Sequence, residues 1–185
     1  MIIAVVGMPG SGKSTVASII SKLMNCKVVR FGDITDKILK ERGMEINEEN
    51  EKRVREELRK KYGNDAYAKL NKQRIDECLE KDGIVVVDGL YSWEEYLYLK
   101  KNYPDKLVIV HVFASPKSRY ERLKNRPVRP LSVEEAMKRD YAEIENLNKG
   151  GPIAMADFVI INESSLEDLQ KAVSELVDTL KQQLA

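Results

Sequence analysis

Five short apolar runs punctuate the chain: Ile2–Val6, Lys27–Phe31, Ile84–Asp88, Leu107–Phe113 and Phe158–Ile161. Each is short and rich in β-branched residues, so each reads as a buried strand. Helical patterns lie between them. Ser14 to Met24 carries apolar residues at positions 16, 17, 19, 20, 23 and 24, a stripe that faces a core. The alternation predicts an α/β fold with a five-stranded parallel sheet and helices on both faces.

Capping signals place the helix ends. Ser115-Pro116 supplies an N-cap and a proline at the first helical position for a helix through Asn125. Ser132 with Glu135 predicts a capping box that opens a helix over Val133 to Leu147. Ser164 with Glu167 predicts a second box, for a last helix ending near Leu184. Gly43, Gly63 and Gly83 each follow a helical stretch, as stop residues do. Two segments exceed a minimal sheet-and-helix core: the charged stretch Met44 to Asp82 and the arginine-containing stretch Arg126 to Lys149. Both follow strands, at the sheet edge where open parallel sheets bind ligands.

Residues 7 to 14 read GMPGSGKS, the GxxxxGKS phosphate loop, between the first strand and the first helix as that motif requires. The predicted cradle is Gly7, Met8, Pro9, Gly10, Ser11, Gly12, Lys13, Ser14 and Thr15. Its glycines let backbone N–H groups approach phosphate oxygens, and the helix start adds its positive end. Lys13 is placed on the β- and γ-phosphates, and the Ser14 hydroxyl is a magnesium ligand.

Three further groups are candidates for the chemistry. Asp88 ends the VVVD run, where a carboxylate can complete the magnesium shell or polarise an acceptor. Asp33, in FGD after the second strand, can accept the proton of an attacking hydroxyl, or cap the helix Ile34 to Lys40. Arg119, Arg122, Arg126, Arg129 and Arg139 form an arginine set suited to the charge that spreads over a moving phosphoryl group. Arg119, Arg122 and Arg126 fall on one helix face. Arg126, at the junction into the loop, is the expected catalytic one, and Arg119 and Arg122 the expected nucleotide contacts. Tyr62, Tyr67 and Tyr91 are readable either as acceptor-pocket residues or as ordinary packing.

Composition narrows the reading. With 33% charged residues and a net charge of +1, the chain gives no case for nucleic-acid or membrane binding. Cys26 and Cys78 lack metal-site spacing and read as reduced thiols of a cytoplasmic protein. The lone His111, inside an apolar run, reads as structural. No signal peptide and no membrane-span-length apolar stretch is recognisable.

VVGMPGSGKS at 5–14, FGD at 31–33, VVVDG at 85–89, ASPKSRYERLKNR at 114–126, RD at 139–140 and ADFVIINESSLEDL at 156–169 together resemble the archaeal adenylate-kinase-related P-loop proteins. Those are cousins of adenylate and dephospho-CoA kinases. The resemblance implies a nucleoside-monophosphate-kinase-like fold over residues 1–185, with an acceptor-binding insertion at about 44–82 and a lid at about 126–149. It implies ATP and magnesium, and AMP or a related nucleotide as acceptor. Two arginines with which adenylate kinases grip the acceptor phosphate are replaced here, one by Asp36 and one in the Tyr91-Ser92 region. Arg30, Arg55 or Arg74 are the possible substitutes. Lys37 matches a basic residue of dephospho-CoA kinases, which leaves hydroxyl phosphorylation open. A nucleotide-hydrolysing switch or assembly factor is the alternative from another class.

Overall fold

The computed structural model describes residues 1–183. Strands β1 (Ile2–Val6), β2 (Lys27–Arg30), β3 (Val85–Asp88), β4 (Leu107–Phe113) and β5 (Phe158–Ile161) form one parallel sheet in the order β2-β3-β1-β4-β5. The intervening helices are α1 (Lys13–Met24), α2 (Asp33–Glu41), α3 (Glu48–Tyr62), α4 (Ala66–Asp82), α5 (Trp93–Asn102), α6 (Pro116–Asn125), α7 (Val133–Leu147), α8 (Gly150–Ala154) and α9 (Leu166–Gln182).

The sheet is covered on both sides, as its unbroken apolar runs require. On one face Ile3, Val5, Val110, Val112 and Ile160 pack against α1 and α9 through Val16, Ile20, Val173 and Val177. On the other Ile2, Ala4, Val85, Val87 and Ile109 pack against α4 and α5 through Ile75, Tyr96 and Leu99. All five residues of β1 are buried, and they alternate between these two clusters with the two-residue period of a strand.

Register sets up the site. Asp88, the last residue of β3, lies opposite Val5 of β1 and Arg30 of β2. The loops after β1, β2 and β3 therefore leave the sheet side by side at its carboxyl edge.

Local details differ from the sequence reading in two places. The last helix opens on a box made by Ser165 and Asp168, one residue later than the expected Ser164–Glu167 pair. Its expected end near Leu184 lies outside the described residues. As expected, Gly63, at φ +93°, stops α3, so the 44–82 stretch is two helices. Asp33 is the first helical residue of α2, with Gly32 at the cap, so its side chain does not cap that helix. The Ser132–Glu135 box is present, and a further one, Ser92–Glu95, opens α5.

Candidate functional site

β1 runs directly into the phosphate loop, and the loop into α1. Gly12 takes the left-handed conformation at the α1 N-cap, at φ +96°, and a Cβ there would lie 2.4 Å from Asn162 Nδ2. Only glycine fits both demands. The same Asn162 amide, just past β5, donates to the Ser11 carbonyl at 2.8 Å. Gly7 is equally constrained: a Cβ would lie 2.4 Å from the Val112 carbonyl oxygen of β4. The loop is thus clamped by its neighbours before any ligand is considered.

Lys13 Nζ donates to the Met8 carbonyl at 3.0 Å across the loop. Burial, reinforced by the nearby Lys149 ammonium, lowers its pKa to about 7. The Ser14 hydroxyl donates to Asp88 Oδ2 at 2.7 Å, joining the loop to the end of β3. These two adjacent oxygen donors fit a hard cation such as magnesium, which takes few protein ligands and completes its shell with phosphate oxygens and water. Among the described residues no cluster of three or more His, Cys, Asp or Glu side chains forms a metal cage.

A chamber of about 550 Å³ opens between α2, α3 and α7, and Arg30, the register neighbour of Asp88, stands in its wall. Its wall carries Arg30, Arg55, Arg59 and Arg139 against Asp36, Glu48, Glu51 and Glu143, with Tyr67 and Tyr91 among them. Most of these charges are paired, some within a helix and some across elements. Arg30 holds Asp36 at 2.7 Å, Arg55 holds Glu48 at 2.6 Å, and Arg139 reaches from α7 to Glu48 of α3 at 3.0 Å. Arg129, in the left-handed region at φ +56°, holds Glu51 at 2.6 Å. Arg59 has no acidic partner among the described residues within 4.0 Å, and its guanidinium rests 5.4 Å from the Tyr67 ring centroid.

A family model described as an AAA domain matches residues 3–147. A UPF0200 protein of Thermococcus onnurineus is 37% identical over 97% of this chain and 98% of its own length. Another, of Methanocaldococcus jannaschii, is 37% identical over 98% of this chain and 93% of its own. The chain belongs to the UPF0200 family. Its fold is shared with solved kinases. A shikimate kinase from Bacteroides thetaiotaomicron superimposes with a TM-score of 0.64 over 98% of both chains at 14% identity. A gluconokinase from Sinorhizobium meliloti does so at 0.59, over 98% and 95%, at 16% identity. The UPF0200 chain therefore has the P-loop kinase-like fold, of the nucleoside-monophosphate-kinase type.

Within this UPF0200 fold the expected site residues separate into groups. Gly7 to Thr15, Ser14 and Asp88 come together. Arg126 is half-buried, donating from Nε to the Arg129 carbonyl and leaving Nη2 buried without a partner. Arg122 donates to the Asn162 carbonyl at 2.8 Å, with Nη1 buried and unpaired. Arg119 differs from the expectation of a nucleotide contact. It is buried, and its guanidinium donates to the carbonyls of Ala114 and Pro9 and forms a two-point pair with Asp140 of α7 at 3.0 and 2.7 Å. Its donors tie the phosphate loop to α7.

Asp33 also departs from its expected place. Its carboxylate pairs with Arg30 at 3.2 Å and Arg74 at 2.9 Å, and it does not line the chamber. Asp36, one helical turn on, does. Lys37 is exposed and pairs with Glu41 at 3.8 Å. Of the suggested replacement clamps, Arg30 and Arg55 line the chamber, whereas Arg74 supports Asp33. Tyr67 and Tyr91 belong to the wall and Tyr62 does not. His111 sits half-buried on β4, edge-on to Phe113 at 6.2 Å. Cys26 and Cys78 are buried free thiols, and among the described residues no helix is long and apolar enough to cross a membrane.

Asp140, Glu143, Lys149 and Asn162 escaped the residue-level reading. Asn162 and Asp140 lay inside quoted motifs, but nothing in the sequence says which arginine or which loop they meet.

Proposed function

We propose that this protein catalyses ATP- and magnesium-dependent phosphoryl transfer to a nucleotide-type acceptor, AMP or a related nucleotide, held in the chamber between α2, α3 and α7. The observation that carries the reading is the 2.7 Å contact of Ser14 with Asp88, whose register neighbour Arg30 lines the chamber. On this reading the pair that holds magnesium lies one strand from the acceptor's space. That space, about 550 Å³ with aromatic and charged walls, suits a nucleotide-sized acceptor.

The residues divide the work. Backbone N–H groups of the loop and the Lys13 ammonium hold the triphosphate, and Ser14 and Asp88 hold the magnesium ion, which when bound neutralises phosphate charge. Arg126, with a guanidinium nitrogen buried and unpaired, is the cation for charge developing on the transferred group. Arg122 serves the nucleotide. Arg119 acts as a positioning residue through Pro9 and Asp140. On the acceptor side Arg30, Arg55 and Arg59 stand where an anionic group would sit, and Asp36 orients Arg30.

A screen of candidate acceptors for ADP release tests this. AMP and dephospho-CoA are the first candidates, and shikimate and gluconate sample hydroxyl acceptors without a nucleotide. ADP formation should depend on one nucleotide acceptor and fall by roughly 100-fold or more in Lys13→Ala, with the fold intact by circular dichroism. ATP hydrolysis indifferent to every acceptor would instead support a nucleotide-driven switch.

A further inference from the structure

Lys149 is almost fully buried, at 1% exposure, in the corner between α7 and α8. A lysine so placed has lost most of its hydration and needs a reason to be there. Its backbone is fixed. Asn148 turns the chain at φ +49°, the Lys149 N–H donates to the Glu143 carbonyl at 3.3 Å, and a Cβ on Gly151 would lie 2.5 Å from the Trp93 ring. Trp93 in turn stacks on Tyr96 at 4.9 Å. The ammonium donates to Glu143 Oε2 and stands 5.0 Å from the Tyr91 ring centroid.

The other oxygen of Glu143 accepts from Arg139 Nε at 3.2 Å. One carboxylate therefore lies between two cations, at the chamber wall. Glu143, Arg139 and Tyr91 line the chamber, whereas Lys149 stands behind them. Tyr91 carries this corner to the end of β3, since a Cβ on Gly89, the residue after Asp88, would lie 2.8 Å from its hydroxyl. Burial opposes ionisation of Glu143, yet Lys149 and Arg139 outweigh it and hold its pKa at about 2.

As a stabilising device the pair is poor, since a buried lysine–glutamate pair is often matched or exceeded by apolar residues of the same shape. As a site for a phosphoryl oxygen it is well made. A moving phosphoryl group needs several cations arranged around its oxygens, and a carboxylate bridging two cations has the charge and the oxygen spacing of such a group. Building on the phosphoryl-transfer reading above, we propose that Lys149 is a second ammonium that contacts the phosphate groups, and that Glu143 masks it until a phosphoryl oxygen takes the carboxylate's place. In the empty protein the mask keeps a buried cation neutralised. In the loaded one, Glu143 swings away and Lys149 and Arg139 face the phosphate.

The test is ATP·magnesium affinity, by calorimetry, of Glu143→Gln, Lys149→Met and the double variant. Glu143→Gln removes the competing anion and should tighten binding about tenfold. Lys149→Met leaves Glu143 beside the phosphates without its main partner and should weaken binding by about tenfold or more. The double variant, a neutral pair of nearly the same shape that is expected to fold even if a single variant does not, should lose the gain seen with Glu143→Gln. Lys149→Arg should restore much of what Lys149→Met loses. Wild-type ATP binding that Lys13→Ala abolishes keeps the phosphate-loop reading whatever the pair does. Affinities within about twofold of wild type in all three variants, with only the melting temperature moved, would overturn the mask alone and leave Lys149–Glu143 a structural pair.

Discussion

Around the phosphate loop the protein presents backbone; across the chamber it presents side-chain charge. Loop geometry is fixed by glycines pressed against β4 and the residue after β5, and by amide contacts such as Asn162 to Ser11 at 2.8 Å. The chamber wall is fixed by ion pairs that α3 makes with α7 and with the loop before it, Arg139 with Glu48 and Arg129 with Glu51. A backbone cradle is nearly independent of which side chains surround it, so one ligand class fits every version of it. A wall of paired charges changes its specificity with each substitution. The first kind of surface suits a shared phosphate donor, and the second suits an acceptor that differs among related proteins.

The two regions meet at Arg119, whose guanidinium bonds Pro9 of the loop and Asp140 of α7. The largest effect is expected there. Arg119→Met should destabilise the protein by about 3–5 kcal/mol in urea unfolding, because Asp140 is left buried and unpaired. Adding Asp140→Asn should recover a large part of that loss, since no lone charge then remains inside. A loss below about 1 kcal/mol in the single variant would show that the loop and α7 are held independently.

The same contrast explains what could be read from the chain. GMPGSGKS between a strand and a helix specifies its own geometry, because a local run of glycines sets where the backbone N–H groups point. The strands were legible because burial on both faces forces continuous apolar runs, and Asp88 because it closes one of them. The chamber was not legible at residue level. Its partners are far apart in sequence, as Arg139 is from Glu48 and Arg74 from Asp33, and one helical turn decides which Asp of α2 faces inward. Asp33 looked the better candidate for its place after β2, yet two arginines hold it outside the chamber. Arg119 belonged to an arginine face by spacing, but burial turned it to the protein's own carbonyls.

A paired substitution on α2 sharpens the comparison next. Asp36→Asn should lower kcat/KM for the acceptor by roughly 100-fold, because Asp36 lines the chamber and holds Arg30 at 2.7 Å. Asp33→Asn should change it by less than about threefold, since Arg30 keeps its Asp36 partner. The affinity for ATP should be unchanged in both, as neither residue touches the loop. The reverse ranking would return Asp33 to the role of acceptor-side base.

The smallest effect asks whether the loop's one charged side chain behaves unlike those of the chamber. Lys13 has its pKa lowered to about 7 by burial and then by Lys149, against an ordinary 10.5. Above neutral pH the empty protein therefore holds Lys13 mostly uncharged. A bound triphosphate restores the ammonium, so binding at pH 8 should take up close to one proton. Affinity must then fall as pH rises above about 7, by up to tenfold per unit, until the pKa of the loaded state is passed. Folding stability runs the other way. Between about 7 and 10.5 the unfolded chain binds the proton that the folded one has lost, so stability from this group rises with pH across that window. Calorimetry at pH 8 in two buffers of different ionisation enthalpy reads the uptake directly, and Lys13→Met should remove whatever binding it reports. Flat affinity from pH 7 to 9 without proton uptake would mean that Lys13 is already charged in the empty loop, held so by Glu143 and Asp88, the two carboxylates that raise its pKa. The loop would then depend on side-chain pairing as much as the chamber does, and the division between a backbone half and a charged half would not hold.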